Sequence, residues 1–437
     1  MVVANGTNAG GGGGGALRSV IIIFPLPSLA SFSSPYSAPP QFSNFAMDSS
    51  SHEPENHPNY LQKENKIDQY LDGSNSNPFA RTRDLPIELI NEILVSLPAK
   101  SLGRFTCVSK SWLSLISSPE FIKAHLAIAS GSDDFGHHCL IFRVYKFPNC
   151  DPHHRKYSVD SLFYGASSET ASPNEVIDVN HLLNPNALVW PVSSCNGLVC
   201  MKTNNSVLLL FNPCTRKFKK LPQTGLEYRT ADFGFGYDKL NEDYKVFGIY
   251  HLISSRTEIR VYSLKNNSWR NLKIRYRGIC RDTCLQYACG NVFWRRSEFT
   301  QSNGVRDIIA RFDLGNEYYD EMDLPDTESK PDHHKLGALG DCISLFYIYR
   351  SDRADIWKMK DSWTKFVSIS LVDHPAKDSY FHTQVVCSLK NGEVLFVLGA
   401  YFLLYNPKTD TYKSYPQTGT IGNVMFYVES LVSPNVV

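Results

Sequence analysis

A small all-α module followed by an all-β propeller is the fold class that this 437-residue sequence predicts. Two observations lead there. From Tyr157 to Tyr412, anchoring aromatics recur every 45–54 residues, each with a second aromatic six or seven positions on. Ahead of them, "DLPIELINEILVSLPAKSLGRFTCVSKSW" (Asp84 to Trp112) sets apolar residues at helical spacing in a stretch too short to enclose its own core.

The chain before that stretch is of another kind. Residues 1–47 hold one basic residue, Arg18, no acidic residue, the glycine run Gly10 to Gly15 and many Ser and Pro. The apolar run Val20 to Leu26 is broken by Pro25 and too short to span a bilayer. An acid-poor, Ser-rich leader could be a transit peptide or weak signal segment; a disordered tail, or an upstream start before Met47, is the simpler reading. Residues 48–80 stay polar, so residues 1–80 read as leader and linker.

The helical module, residues 81–127, follows. Asp84 is placed to cap a first helix and Pro86 sits in its opening turn, where a missing N–H costs little. Leu89, Ile90, Ile93, Leu94 and Leu97 form one wide stripe and Pro98 ends the helix. A second helix carries Leu102 and Phe105, a third Trp112, Leu113 and Ile116. Ser118-Pro119-Glu120 opens a fourth through Phe121, Ile122 and Leu126. About 43 residues rarely sustain a core without disulfides or metal. Each large apolar side chain left in water forgoes about 1.5–3 kcal/mol. A second surface is therefore expected over this one, either the downstream domain or a groove in a partner.

Leu85-Pro86, Ile93-Leu94, Leu97-Pro98, Ser101-Leu102, Phe105, Val108, Lys110 and Trp112 together resemble the F-box, the adaptor-binding module of SCF ubiquitin ligases. Arginine is common in that family near Gly103-Arg104 and just before the Trp; here Lys110 keeps the charge. The resemblance implies that Leu85, Pro86, Ile93, Leu94, Leu97, Pro98, Leu102, Phe105, Val108, Lys110 and Trp112 bind a Skp-family adaptor, and through it a cullin and a RING subunit.

Downstream, short apolar runs alternate with Asn, Gly, Asp and Pro, the pattern of strands and turns. The anchors are Tyr157, Phe211, Tyr262, Phe312, Trp357 and Tyr405. Their followers are Tyr164, Phe218, Trp269, Tyr319 and Tyr412 at seven positions, and Trp363 at six. A further apolar run precedes each anchor, as in "NGLVCM" and "GEVLFVL". A unit of three or four short strands cannot bury both faces alone, but radial stacking on its neighbours does so. Six anchors predict six blades. The C-terminal run "VMFYVESLV" is expected to close the ring with the first of them and so remove exposed sheet edges. The competing architecture is a β-sandwich with coincidental spacing.

The period is kelch-like in length, without the Gly-Gly pair of kelch repeats. "SCNGLVC" (Ser194 to Cys200), "LFNPCTRKFKKLP" (Leu210 to Pro222), "FGFGYDKLNEDYKV" (Phe233 to Val246), "YSLKNNSW" (Tyr262 to Trp269) and "GNVFW" (Gly290 to Trp294) look like the F-box-associated domain of plant F-box proteins. That resemblance covers residues 136–433 and implies a propeller fold far more than it implies a ligand.

No motif announces catalysis. Asn212-Pro213 and Asn406-Pro407 read as turn chemistry, and Gly234-x-Gly236 as close backbone packing. The pairs His137-His138, His153-His154 and His333-His334 would point to opposite faces of a strand and chelate poorly. Cys280, Cys284 and Cys289 have no zinc-site spacing, and the arginines from Arg295-Arg296 to Arg311 read as a solvated face. Neither a metal nor another cofactor is expected. The 44 Lys+Arg and 43 Asp+Glu leave no basic excess for nucleic acid, and no membrane association is expected. Eleven scattered cysteines suit the reducing cytoplasm or nucleus. The expected function is a non-catalytic substrate receptor of an SCF-type ligase whose propeller binds a protein target. The alternatives are a secreted or organellar propeller enzyme or glycan binder, glycosylated at Asn204 and Asn266, and an F-box protein acting outside a ligase.

Overall fold

The computed structural model describes residues 2–4, 20–22, 86–131, 137–145, 154–159, 175–177 and 189–435, less 205, 255, 275, 277, 283, 300–303, 350–352, 376–382 and 390. The leader and linker predicted over residues 1–80 lie outside these, apart from a short antiparallel pair, Val2–Ala4 with Val20–Ile22. The chain divides into two compact units, residues 1–93 and 94–437.

Four helices form where the apolar spacing and caps place them: α1 Ile87–Val95, α2 Ala99–Phe105, α3 Lys110–Ile116 and α4 Pro119–Gly131. The predicted cap Asp84 lies outside the described residues. Ser109 caps α3 by accepting from the Trp112 N–H at 3.1 Å, and Ser118 caps α4 by accepting from Phe121 N–H at 3.2 Å. Within the second unit, α4 runs on past the predicted end of the module. Its Ile122 and Leu126 pack on a buried cluster that includes Cys195, Phe235, Tyr262 and Val432.

Among the described residues after α4, the strands of each sheet pair antiparallel. Sheet I comprises Val189–Cys195, Leu198–Thr203, Leu208–Phe211 and Phe218–Lys220. Sheet II comprises Tyr228–Asp238, Asp243–Leu252, Thr257–Ser263 and Ser268–Leu272. In sheet III, Ile279–Cys280 and Gln286–Ala288 share one edge of Asn291–Phe299, with Val305–Asp313 and Tyr319–Asp323 beyond it. Sheet IV comprises His333–Leu339, Cys342–Tyr349, Arg353–Met359 and Trp363–Ser370. Sheet V comprises Thr383–Ser388, Val394–Leu398, Tyr401–Asn406 and Thr411–Pro416.

These five sheets are built from consecutive strands and make five complete blades, where the anchors predict six. The first anchor does not make a sheet of its own. Its strands His138–Phe142, His154–Ser158 and Glu175–Ile177 stand in a composite sheet whose fourth strand is the C-terminal Met425–Val428. The first strand of each sheet, taking Gln286–Ala288 for sheet III and Met425–Val428 for the composite, touches the next and the circle returns to Val189–Cys195.

The aromatic repeat has a direct geometric meaning. Phe211 and Phe218, Tyr262 and Trp269, Phe312 and Tyr319, and Tyr405 and Tyr412 are opposed partners on the last two strands of sheets I, II, III and V. Opposed residues in an antiparallel pair share a face, so each pair seals one blade edge. A left-handed residue five places after each anchor makes the turn: Arg216, Asn267, Glu317 and Asp410. In sheet IV a register shift between Ile356 and Trp357 sets Trp357 opposite Lys365 and Trp363 opposite Met359, which accounts for the spacing of six. The side chain of Tyr157 and all of Tyr164 lie outside the described residues.

Gly236 is a close-approach glycine, as its sequence context suggests: a Cβ there would run into the Tyr287 ring. The reading of Arg295 and Arg296 as a solvated face is corrected. Arg296 is buried, with Glu321 at 2.6 Å, and Arg295 holds Asp282 at 2.9 Å. Arg306 and Arg311, nearer the surface, pair with Asp323 and Asp320.

The C-terminal segment is stitched in by side chains from distant strands. Glu429 meets Lys156 in a buried pair at 2.9 Å, and Ser430 donates to the Asn196 carbonyl at 2.8 Å. Asn212 does more than turn chemistry. Its Oδ1 accepts from the N–H groups of Cys214 and Thr215, while its Nδ2 donates to the carbonyls of Ser430 at 3.0 Å and Val432 at 2.7 Å.

Candidate functional site

Two surfaces are candidates: the face of the helical module and a cavity encircled by the innermost strands.

On the helical module the expected contact residues divide by burial. Leu94 and Leu102, at 2% and 0% exposure, are interior residues. Both are expected on the docking face; here both side chains are turned into the interior. Leu85 lies outside the described residues. Pro86, Pro98, Val108 and Lys110 are exposed; Ile93, Leu97, Phe105 and Trp112 are half-buried. Phe105 and Trp112 meet edge to face with ring centroids 5.6 Å apart, a contact between α2 and α3 that fixes both rings. The Leu97 carbonyl is hydrogen-bonded to the buried His125 ring of α4 at 2.9 Å. Leu97 therefore sits at a structural joint as well as near the surface.

The most exposed apolar residues of the module fall only partly within the expected set, which holds Val108 but not Leu113, Ile87 or Leu89. Val108 is 54% and Leu113 48% exposed in the second unit, and Ile87 and Leu89 of α1 are also exposed. The signal for Leu113 was present in the sequence. In α3, "KSWLSLI", four of seven residues are large and apolar, more than one buried face of two turns accommodates.

The cavity has a volume of about 700 Å³ and is lined from sheets I, III, IV and V and the composite sheet. The first strands of neighbouring sheets run side by side in the same sense. Phe233 bridges Cys284 in parallel, Ser193 donates to the Phe235 carbonyl at 3.0 Å, and Tyr287 Oη donates to the Tyr237 carbonyl at 2.8 Å. All therefore begin at one end of the cavity and finish at the other. At the finishing end, Ser130 from α4 lines the cavity beside Asn196 and Gly197. At the starting end stand Arg281, Asp282, Arg295, Lys335, Gln384 and Asn423.

The polar groups at that starting end are unequally satisfied. Asp282 accepts from the Arg295 backbone N–H at 2.6 Å and from its Nε at 2.9 Å. Burial pushes the Asp282 carboxyl up and Arg295 pulls it back. Gln384 is spent on Val424, donating to its carbonyl at 2.7 Å and accepting from its N–H at 2.9 Å. Arg281 is exposed and donates from Nε to Ser297 at 2.7 Å. Burial pushes the Lys335 ammonium down, offset by attraction to Asp282.

Several of the other sequence candidates for chemistry are held in structural contacts, while Cys284 and Cys289 line the cavity. His138 stacks on Phe426 with centroids 5.2 Å apart, and His137 meets His125 edge to face at 5.8 Å. His334 faces Asp307 at 3.8 Å. Burial pushes the Cys280 thiol up and its Sγ donates to the Asp282 carbonyl at 3.2 Å, the opposite of an activated thiolate. His153 lies outside the described residues.

Comparison with known proteins agrees with this arrangement. Residues 153–426 match the F-box associated beta propeller domain, and residues 83–124 match the F-box domain. The chain is 27% identical over 323 residues to the F-box protein CPR1 of Arabidopsis thaliana, covering 65% of this chain and 73% of that protein. It is 28% identical over 379 residues to an F-box/kelch-repeat protein of the same plant, covering 80% of this chain and 96% of that one.

Proposed function

This chain belongs to the F-box proteins that carry an F-box associated β-propeller domain, and from that premise we propose that it is the substrate receptor of an SCF-type ubiquitin ligase. The observation that carries the reading is the pairing, in one chain, of an exposed apolar helical face with a cavity lined by the innermost strands of the sheets. Val108 and Leu113 stand out from α2–α3, which supports the docking of a Skp-family adaptor there, with cullin and RING subunits beyond it. The charged lining residues Arg281, Asp282, Arg295 and Lys335 stand at the end of the strands opposite Ser130 of α4. A target held there and an adaptor held on the helices would not compete for space. The composite sheet is counted as the sixth blade, closed by the C-terminal strand.

The chain's own contribution to chemistry is then proximity. Two binding events on one molecule raise the effective concentration of target lysines near a ubiquitin-charged enzyme. The ten cysteines among the described residues are free thiols, which supports placing the protein in the cytoplasm or nucleus.

The test is affinity purification with the proteasome blocked, comparing the intact chain with Val108→Asp/Leu113→Asp. A point variant is preferable to deleting the module, because Ile122 and Leu126 cover part of the sheet cluster. Adaptor and cullin are expected to vanish from the variant's partners while one or more other proteins persist. Retention of adaptor by the folded variant would refute the reading of the helical face.

A further inference from the structure

We infer that the starting end of the cavity recognises an acidic segment of the target protein, with Lys335 and Arg281 as the cations that receive its carboxylates. This deepens the receptor reading and rests on it. Among the side chains that line that end, Arg281, Arg295 and Lys335 are cationic and Asp282 alone is anionic. Asp282 is already bonded twice by Arg295, once through the backbone N–H and once through Nε. One cation is thereby neutralised and two are left over. The Arg281 guanidinium spends Nε on Ser297 and has no carboxylate partner among the described residues. The Lys335 ammonium has no hydrogen-bond partner among them either; Asp282 is the anion that attracts it, and Asp282 is engaged elsewhere. A half-buried ammonium with no protein acceptor is a ready partner for a carboxylate from outside.

The surroundings support a peptide side chain as the occupant. Just beyond the rim, Lys202 and Asp232 attract one another and add no net charge. Two buried lysines elsewhere in the sheets are already paired, Lys156 with Glu429 at 2.9 Å and Lys245 with Asp238 at 2.7 Å. Asp341 lines the cavity too, but it follows Leu339, at the finishing end of its strand. The volume of about 700 Å³ admits a few side chains and no folded domain. With 44 basic against 43 acidic residues, the chain has no wider basic field of the kind that nucleic acid requires.

The test is selection of a random displayed peptide library on the full-length chain, followed by affinity measurement of the enriched peptides. Enriched sequences are expected to carry Asp or Glu, and Lys335→Gln and Arg281→Gln are each expected to weaken them about tenfold or more. Arg281 is exposed, so its variant stays folded even if loss of Lys335 disturbs the sheet. Both variants are expected to bind the adaptor as the intact chain does. Peptides without acidic enrichment, acidic peptides held equally by both variants, or tighter binding of a 20-nucleotide oligomer than of any peptide would overturn the inference. Loss of adaptor binding by Val108→Asp alongside such a result would leave the receptor reading standing. Acidic peptides bound at Lys335 by a chain that binds no adaptor would instead strike the receptor reading alone.

Discussion

Glu429→Ala is expected to destabilise the second unit by about 3–5 kcal/mol, because it leaves the Lys156 ammonium buried without its anion. The two residues come from opposite ends of the sheet region, 273 positions apart, and their bond fastens the C-terminal segment to the first strands. Beside them the Cys139 thiol, pushed up to about 12 by burial and by Glu429, stays protonated and donates to the same carboxylate at 3.6 Å. The loss should lower the melting temperature by on the order of 10 °C. Replacing both partners, Lys156→Met with Glu429→Leu, should recover most of it, since an apolar pair of similar size carries no desolvation cost. Truncation before Asn423 should act more strongly still. It removes the strand Met425–Val428, the acceptors of Asn212 and the partner of Lys156 at once. Thermal denaturation and limited proteolysis measure all three. Unchanged melting of Glu429→Ala, or a stable fragment after truncation, would mean that the ends do not hold the ring together.

Val108→Asp is expected to weaken adaptor binding about thirtyfold or more, the consequence of removing roughly 2 kcal/mol at the centre of an interface. Val108 is the residue of choice because it is both part of the F-box pattern and 54% exposed. An aspartate there meets water in the free chain and a desolvated apolar groove in the complex. Leu97→Asp would be a poorer probe, since Leu97 is half-buried and its carbonyl meets His125. Leu94→Asp or Leu102→Asp would disrupt the interior of the module itself. Titration of purified adaptor against intact and substituted chains, with circular dichroism to confirm folding, reads the effect. Equal affinity in a folded variant would move the docking face elsewhere.

Local features were legible wherever turn and period fix geometry. The seven-residue spacing of Phe211 and Phe218, or Tyr405 and Tyr412, can be read without coordinates because alternation and a fixed turn determine which residues oppose. Pro98 and Ser118 marked helix boundaries for the same local reason. What escaped depends on distant register. Arg295 and Arg296 look like a surface run, yet their partners Asp282 and Glu321 arrive 13 and 25 positions away, from a preceding loop and from the far strand of the same sheet. Asn212 shows its turn role in sequence but not its bonds to Ser430 and Val432, about half the chain away. The inward aim of Leu94 and Leu102 is hidden because a short helix with many apolar residues does not declare which of them faces the interior. The excess of cations over free carboxylates at the cavity mouth requires the ring to close before Arg281 and Lys335, from different sheets, stand together.

The half-life of a captured target in cells overexpressing either the intact chain or Val108→Asp tests the receptor account most directly. The account predicts that the intact chain shortens the half-life, and that Val108→Asp lengthens it by holding the target without delivering it to a ligase. Accelerated turnover by Val108→Asp, or modification of the target without adaptor and cullin, would contradict it.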